Sequence, residues 1–278
     1  MMSLMFALPG ALAYGIADFA GGTATRRAPV LLVTAVVQLA GLVVLVPVAL
    51  LAGGTPSVAA VVWGVVAAVG GTIGLLVYLR ALAVGPMGVV APLSAVVGAG
   101  LPLLVGLLTG ERLGVVSIVA IVIALVAIVM ATAGSTAGTG ARTGPLLALA
   151  AGAGFALFFV GIDASPAGSG LWSLLTGRAT SVPVLFLAVL ATRSRQRSAG
   201  PFPLRLALLS GVFDTVANVF FLLSTRTGEL GVSAVVVSLY PVVVAVLAAI
   251  FLRERLTGLQ LGSAGLAVGA SVLLAVGG

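Results

Sequence analysis

Almost the whole chain is divided into apolar runs of about twenty residues, the length at which an α-helix crosses the roughly 30 Å hydrocarbon core of a bilayer. The runs fall near residues 4–22, 30–52, 58–80, 87–108, 114–133, 145–162, 171–192, 204–225, 231–252 and 257–276, and Gly, Pro, Arg or small polar clusters separate them. Within 278 residues, that leaves space for short connectors and for no further domain. Lipid supplies no hydrogen-bond partners, so a spanning segment must satisfy its own backbone. A helix does so, whereas a barrel would show alternating segments of about ten residues. The expected fold class is therefore all-α integral membrane, with ten transmembrane helices. Residues 1–22 lack the positively charged start of a secretory signal and read as a first helix that is retained.

Composition narrows the chemistry. Only 7% of the residues are charged, against about 25% in a soluble domain. Cys and His are both absent, which removes disulfides, thiolate chemistry, imidazole metal sites and His-dependent catalysis. No catalytic residue, metal site or cofactor is expected. There is no Lys and no Gly-x-x-x-x-Gly-Lys pattern, so the chain is not expected to drive transport with ATP by itself. The net charge of +7 comes from 13 Arg against 6 acidic residues. Most of these Arg lie between apolar runs, where they face anionic lipid headgroups rather than form the continuous basic surface that tracks nucleic acid. The expected partners are membrane lipids and a small-molecule substrate, with no nucleic acid.

A polar, flexible linker at residues 134–144 sits almost at the midpoint and raises the question of duplication. At the displacement that carries Glu111-Arg112-Leu113 onto Glu254-Arg255-Leu256, the residues Gly85, Gly88, Val89 and Ala91 fall on Gly228, Gly231, Val232 and Ala234. Thr72, Leu79 and Leu104 match Thr215, Leu222 and Leu247 without a gap. The domains expected are one repeat at 1–133 and a second at 145–278, each of five helices. Five is odd, so the second copy enters the membrane from the opposite side. The Arg distribution agrees. Connectors on one face hold Arg26, Arg27, Arg80, Arg142, Arg193, Arg195, Arg197, Arg205, Arg253 and Arg255, and those on the other hold Arg112 and Arg226. A bias that flips between copies is what inverted repeats under the positive-inside rule require.

The stretch 238–262, SLYPVVVAVLAAIFLRERLTGLQLG, resembles the closing motif of EamA-type transporters of the drug/metabolite transporter superfamily, and GPMGVVAPLSAVVGAGLPLLVGLLTGERL looks like its first-half copy. The resemblance implies a basket of ten helices. It places a central cavity between helices 1, 3, 4, 6, 8 and 9, with helices 5 and 10 at the periphery. It further implies a secondary active transporter in the plasma membrane, exporting small organic solutes such as amino acids, other metabolites or xenobiotics. Family members are often drawn with cytoplasmic termini, whereas the Arg count places the termini outside. The alternative function is a channel or a structural scaffold without a coupled cycle. Against a channel stands the lack of a repeated motif from which a selectivity filter could be built.

Ionisable side chains inside a span cost about 2.5 to 3.5 kcal/mol on insertion scales, so each calls for a reason. Asp214 lies mid-way along the eighth run, with Asn218 on the same face. The pair is expected to bind substrate or a proton, the carboxylate exchanging protons with the solute. The structural alternative is a salt bridge from Asp214 to Arg178 in the seventh run, which would defeat the proton role. Asp18 on the first run, one turn after Tyr14, could carry the proton instead. Asp163 reads as a solvated helix end. Tyr240 shares a face with Ser233 and, with Tyr14, is expected to line the cavity. Trp63, Trp172 and Tyr78 are expected to anchor the membrane interface. Pro92, Pro102 and Pro241 are expected to bend their helices. Gly258, Gly262, Gly265 and Gly269 form small-x-x-x-small spacings, read as packing within the fold or as a dimer face, so the chain is expected as monomer or homodimer.

Overall fold

The computed structural model describes residues 2–84, 87–132, 143–192 and 200–251, with isolated helical positions at 258, 259, 262, 265, 266, 269, 270 and 273. Within these, every regular element is helical: α1 (Met2–Thr25), α2 (Val30–Ala52), α3 (Val58–Val84), α4 (Met87–Leu108), α5 (Val115–Thr132), α6 (Thr143–Asp163), α7 (Trp172–Thr192), α8 (Leu204–Thr227), α9 (Leu230–Val237) and α10 (Tyr240–Phe251), plus a single 3-10 turn at Ala167–Ser169. Among the described residues seven segments are long and apolar enough to cross a membrane, α9 and α10 together forming one of them, Leu230–Phe251. Leu93–Leu108 and Val115–Met130 are shorter apolar helices. The protein is a membrane protein, all-helical in its regular elements over the described residues. The greater part of the tenth run, like the linker at 134–142, lies outside the described residues.

The ninth run is two helices rather than one bent helix. Pro241 has no N–H, so the carbonyl four residues back loses its helical donor. The backbone tightens there instead, Leu239 N donating to Val236 O and Val242 N to Leu239 O, both at 3.1 Å. In α4, by contrast, the helix runs uninterrupted through Pro92 and Pro102. Pro9, Pro47 and Pro183 also lie inside helices.

Packing follows from the small residues. The longest helix contacts are α3 along α6 and α1 along α8. Next, α4 packs on α6, α1 on α9 and α10, α3 on α7, and α2 on α8, while α2 meets α7 and α4 meets α9. Between α3 and α6 the backbones nearly touch: a Cβ on Gly154 would lie 2.7 Å from Gly74 Cα, and one on Gly70 would lie 2.7 Å from Gly154 O. Helices in lipid gain little from hiding apolar surface from each other, so such close van der Waals approach carries their association. Many large apolar side chains point outward, Leu50, Ile73, Val122, Leu187 and Leu190 all being exposed. The expected packing role of the last glycines is not borne by the described residues, where a Cβ on Gly258, Gly265 or Gly269 would meet nothing within 4 Å and one on Gly262 would reach only Met130 at 3.4 Å.

The connectors after α2, α4, α6 and α8 meet on one side. Thr55 N donates to Gly168 O at 3.0 Å, and the Arg226 guanidinium donates to Asp163 O at 3.2 Å and Ser165 O at 2.6 Å. Glu111, turned back by Gly110 at φ 104°, closes the N-terminus of α9: its Oε1 accepts from Leu230 N at 2.7 Å and its Oε2 from Gly231 N at 3.1 Å. A carboxylate here satisfies two orphan donors and meets the positive end of the helix dipole. Partial burial nonetheless outweighs those donors and holds the Glu111 carboxyl above its ordinary 4.5. The folded state therefore keeps this proton to higher pH than the unfolded chain, and the ionised group subtracts stability as pH rises from about 4.5 upward. Glu111→Gln should flatten that slope in thermal unfolding measured across pH. At neutral pH it should still lower stability by about 0.5–2 kcal/mol, because one of the two accepting oxygens becomes a donor.

Candidate functional site

The site grows out of a few polar side chains carried on apolar helices, which cluster because lipid gives them nowhere else to go. They line an open cavity between α1, α2, α3, α4, α6, α7, α8 and α10. The lining includes Tyr14 and Asp18 of α1, Gln38 of α2, Thr72 of α3, Ser94 of α4, Phe155, Phe158 and Phe159 of α6, Arg178 and Ser181 of α7, and Asp214, Thr215 and Asn218 of α8. Ser238 and Tyr240 enter from the break between α9 and α10. Two helices outside the expected set, α2 and α7, contribute to the wall, while α5 contributes nothing among the described residues.

Asp214 is held by an ion pair. Arg178 Nη2 donates to Asp214 Oδ2, the pairing set against a proton role for Asp214, and also to Thr215 Oγ1 at 3.3 Å. Asn218 Nδ2 donates to the same Asp214 oxygen at 3.1 Å, and Asn218 Oδ1 accepts from the Tyr14 hydroxyl. One connected network thus ties α1, α7 and α8 together. Arg178 is only 7% exposed. Its guanidinium has room because Gly41 of α2 lies against it: a Cβ there would come 3.0 Å from Arg178 Cζ and closer still to Thr215 Oγ1.

Asp18 belongs to a different cluster. Its Oδ2 accepts from the Tyr78 hydroxyl at 2.7 Å. Around them stand rings: Tyr78 meets Phe155 edge-on at 5.4 Å and Tyr240 at 6.5 Å, and Tyr14 lies 6.3 Å from Tyr240. The Tyr240 hydroxyl is 2.9 Å from Ser94 Oγ and donates to Ala91 O at 3.2 Å, which fixes α10 against α4.

Tyr14, Asp18, Arg178, Asp214, Asn218 and Tyr240 are therefore brought to one cavity. Ser233 is not. The break before Pro241 ends the helical register that would have set it on the face of Tyr240, and its buried hydroxyl has no hydrogen-bond partner. Tyr78 is no interfacial anchor either. Because α3 runs on to Val84, four residues past the expected end, Tyr78 sits a turn and a half inside the helix and is fully buried. Trp172 begins α7 and donates from Nε1 to Gly54 O at 3.2 Å, a helix-end position. Asp163 closes α6 and stays out of the cavity. Gln38, Ser94 and Ser238 went unnoticed, and the available signal was a lone amide or hydroxyl in the middle of an apolar run.

Residues 142–276 match the model of the EamA-like transporter family. The second half of the chain is thus similar to that family, part of the drug/metabolite transporter superfamily. Proteins of that family are membrane transporters of small solutes. No curated protein matches the sequence. Among solved structures, a crystal structure described only as that of a protein is similar, with a TM-score of 0.73 at 20% identity over 99% of this chain and 96% of the other, a likeness of fold.

Proposed function

We propose that this chain is a secondary active exporter of small organic solutes in the plasma membrane, working by alternating access between two inverted five-helix halves. The observation that carries the reading is the cavity itself, which takes side chains from both halves. The helix contacts support it by their exchange symmetry. When each helix is replaced by its counterpart in the other half, α1 on α8 becomes α6 on α3, α2 on α8 becomes α7 on α3, and α4 on α6 becomes the α9–α10 span on α1. Two halves that meet through equivalent surfaces can rock from one pairing to the mirror pairing at similar free energy, and this opens the cavity to each side in turn. The broken span at Ser238 and Tyr240 supplies non-helical backbone where such a site needs it.

Transport is coupled to protons in this reading, and the exchange takes place at Asp18 rather than at Asp214. Asp214 has Arg178 as its partner, whereas Asp18 has no cation within the described residues. A carboxylate that holds either a proton or a solute, never both, is the minimal antiporter.

Reconstituted vesicles test the reading. Uptake of a solute panel, with and without a pH gradient, should be driven by the gradient and accelerated by the same solute on the far side, since a carrier returns faster when loaded. A channel or scaffold gives neither acceleration nor gradient response. In the same vesicles a Ser198→Cys variant reports the orientation. Labelling by an impermeant reagent from the cytoplasmic side alone is the outcome expected from the three Arg around it, and labelling from outside turns the molecule over and places the termini in the cytoplasm.

A further inference from the structure

The charges and hydrogen-bond groups of the cavity do not balance, and the imbalance has a sign. Two carboxylates and one guanidinium line it, and the guanidinium is spent on Asp214 and Thr215. Asp18 is left as the surplus negative charge. Of the other open groups, Gln38 Oε1 can only accept, while the hydroxyls of Thr72 and Ser238 can accept or donate. Ser238 Oγ, on a residue 1% exposed, and Gln38 Oε1, on a residue 5% exposed, have no hydrogen-bond partner, although each is buried at the cavity wall. Buried polar atoms are seldom left unpaired, because each costs on the order of a lost hydrogen bond. Aromatic rings share the wall with small and aliphatic residues, and Phe155 and Tyr240 pack on Tyr78, the partner of Asp18.

A ligand that completes this set carries one positive charge, several N–H donors and an apolar body. We infer that the cavity selects small organic amines bound as ammonium ions, with Asp18 as counter-ion, Ser238 and Gln38 as acceptors and the aromatic rings as the cation-π and apolar wall. A carboxylate meets the reverse: its one cationic partner is already engaged, and Asp18 repels it. The site therefore discriminates against organic acids and against zwitterionic amino acids in favour of the corresponding amine. The inference rests on the transporter reading only in taking the cavity as a solute site.

The test uses the purified full-length protein and four probes that share a benzene ring and differ at the head: phenethylamine, 2-phenylethanol, phenylacetate and phenylalanine. In isothermal titration phenethylamine should bind about tenfold or more tighter than the alcohol, the scale of a hydrogen bond to a charged group. Phenylacetate and phenylalanine should bind more weakly than the amine. Asp18→Asn should bring phenethylamine down to the level of the alcohol, and Ser238→Ala should weaken it by a smaller factor, with thermal unfolding as the check on the fold. Should Asp18→Asn not fold, the ranking of the four probes on the wild type decides. Equal binding of all four, a preference for phenylacetate or phenylalanine, or an Asp18→Asn protein that keeps its amine preference overturns the inference. Vesicle flux separates the two claims. Flux of neutral or acidic solutes without amines overturns the amine inference and leaves the transporter standing, whereas amine binding without flux of any solute supports the inference and overturns the transporter.

Discussion

Arg178→Met is expected to destabilise the fold by about 3–5 kcal/mol, because it strands the Asp214 carboxylate in the interior without its cation. The total stability of a domain is about 5–15 kcal/mol, so a shift of this size is plain in any unfolding curve. Asp214→Leu should cost a similar amount by leaving the guanidinium unpaired between α2, α7 and α8, where Gly41 has made room for it and no other carboxylate among the described residues pairs with it. The double variant Arg178→Met with Asp214→Leu is the informative one. Removing both charges removes both desolvation costs, so it should recover most of the loss and give a large coupling energy in the double-mutant cycle. If the two single losses simply add, the pair contributes nothing as a pair and its members act through other contacts. Transport by the double variant then tells whether the pair also works in the cycle. A pair that only locks α7 to α8 leaves solute exchange intact.

The second large effect is expected at Asp18, where replacement by Asn should abolish coupling rather than stability. Solute added to the weakly buffered wild-type protein should displace the proton from Asp18 and acidify the medium, with close to one proton released at the most favourable pH. Asp18→Asn should release none at any pH, and its residual flux should be indifferent to a pH gradient. Tyr78→Phe removes the hydrogen bond to Asp18 Oδ2 and keeps the carboxylate, so the release should persist with its pH profile displaced. Undiminished proton release from Asp18→Asn would move the coupling elsewhere, and Asp214→Asn is then the next variant to measure. An Asp214→Asn protein that folds and retains proton release is the complementary result expected here, since that carboxylate already has Arg178.

Helix positions were legible in the sequence because membrane spans obey a rule that is local. Each must be apolar over about twenty residues and satisfy its own backbone, whatever its neighbours do. The ends of α2 and α4 agree with the apolar runs to the residue, while α1 extends further into small and polar flanks and α3 runs on past Arg80 through Ala81 to Val84. The break before Pro241 was legible as an irregularity and misread in degree. Pro92 and Pro102 carry the same missing donor inside a helix that continues through both. What a proline does to a span depends on whether neighbouring groups can accept the freed carbonyls, and a neighbour is a tertiary fact.

The same division runs through the site. Asp18, Tyr14, Arg178, Asp214, Asn218 and Tyr240 could be picked out one at a time, because a charge or a hydroxyl in an apolar run costs free energy that the run alone cannot return. Which of them pair could not be decided, since Arg178 lies 36 residues from Asp214 and Tyr78 lies 60 from Asp18. The sequence offered the Asp214–Arg178 pair as one alternative and could not choose between it and a free Asp214. By itself the sequence determined an all-helical membrane protein, the lengths of its spans and a short roster of polar residues that must find company. Only the tertiary structure decided that the guanidinium goes to Asp214 rather than to Asp18, and so which carboxylate is left facing the cavity. The physical reason is that a buried charge is settled by whichever opposite charge the packing of other helices brings within reach.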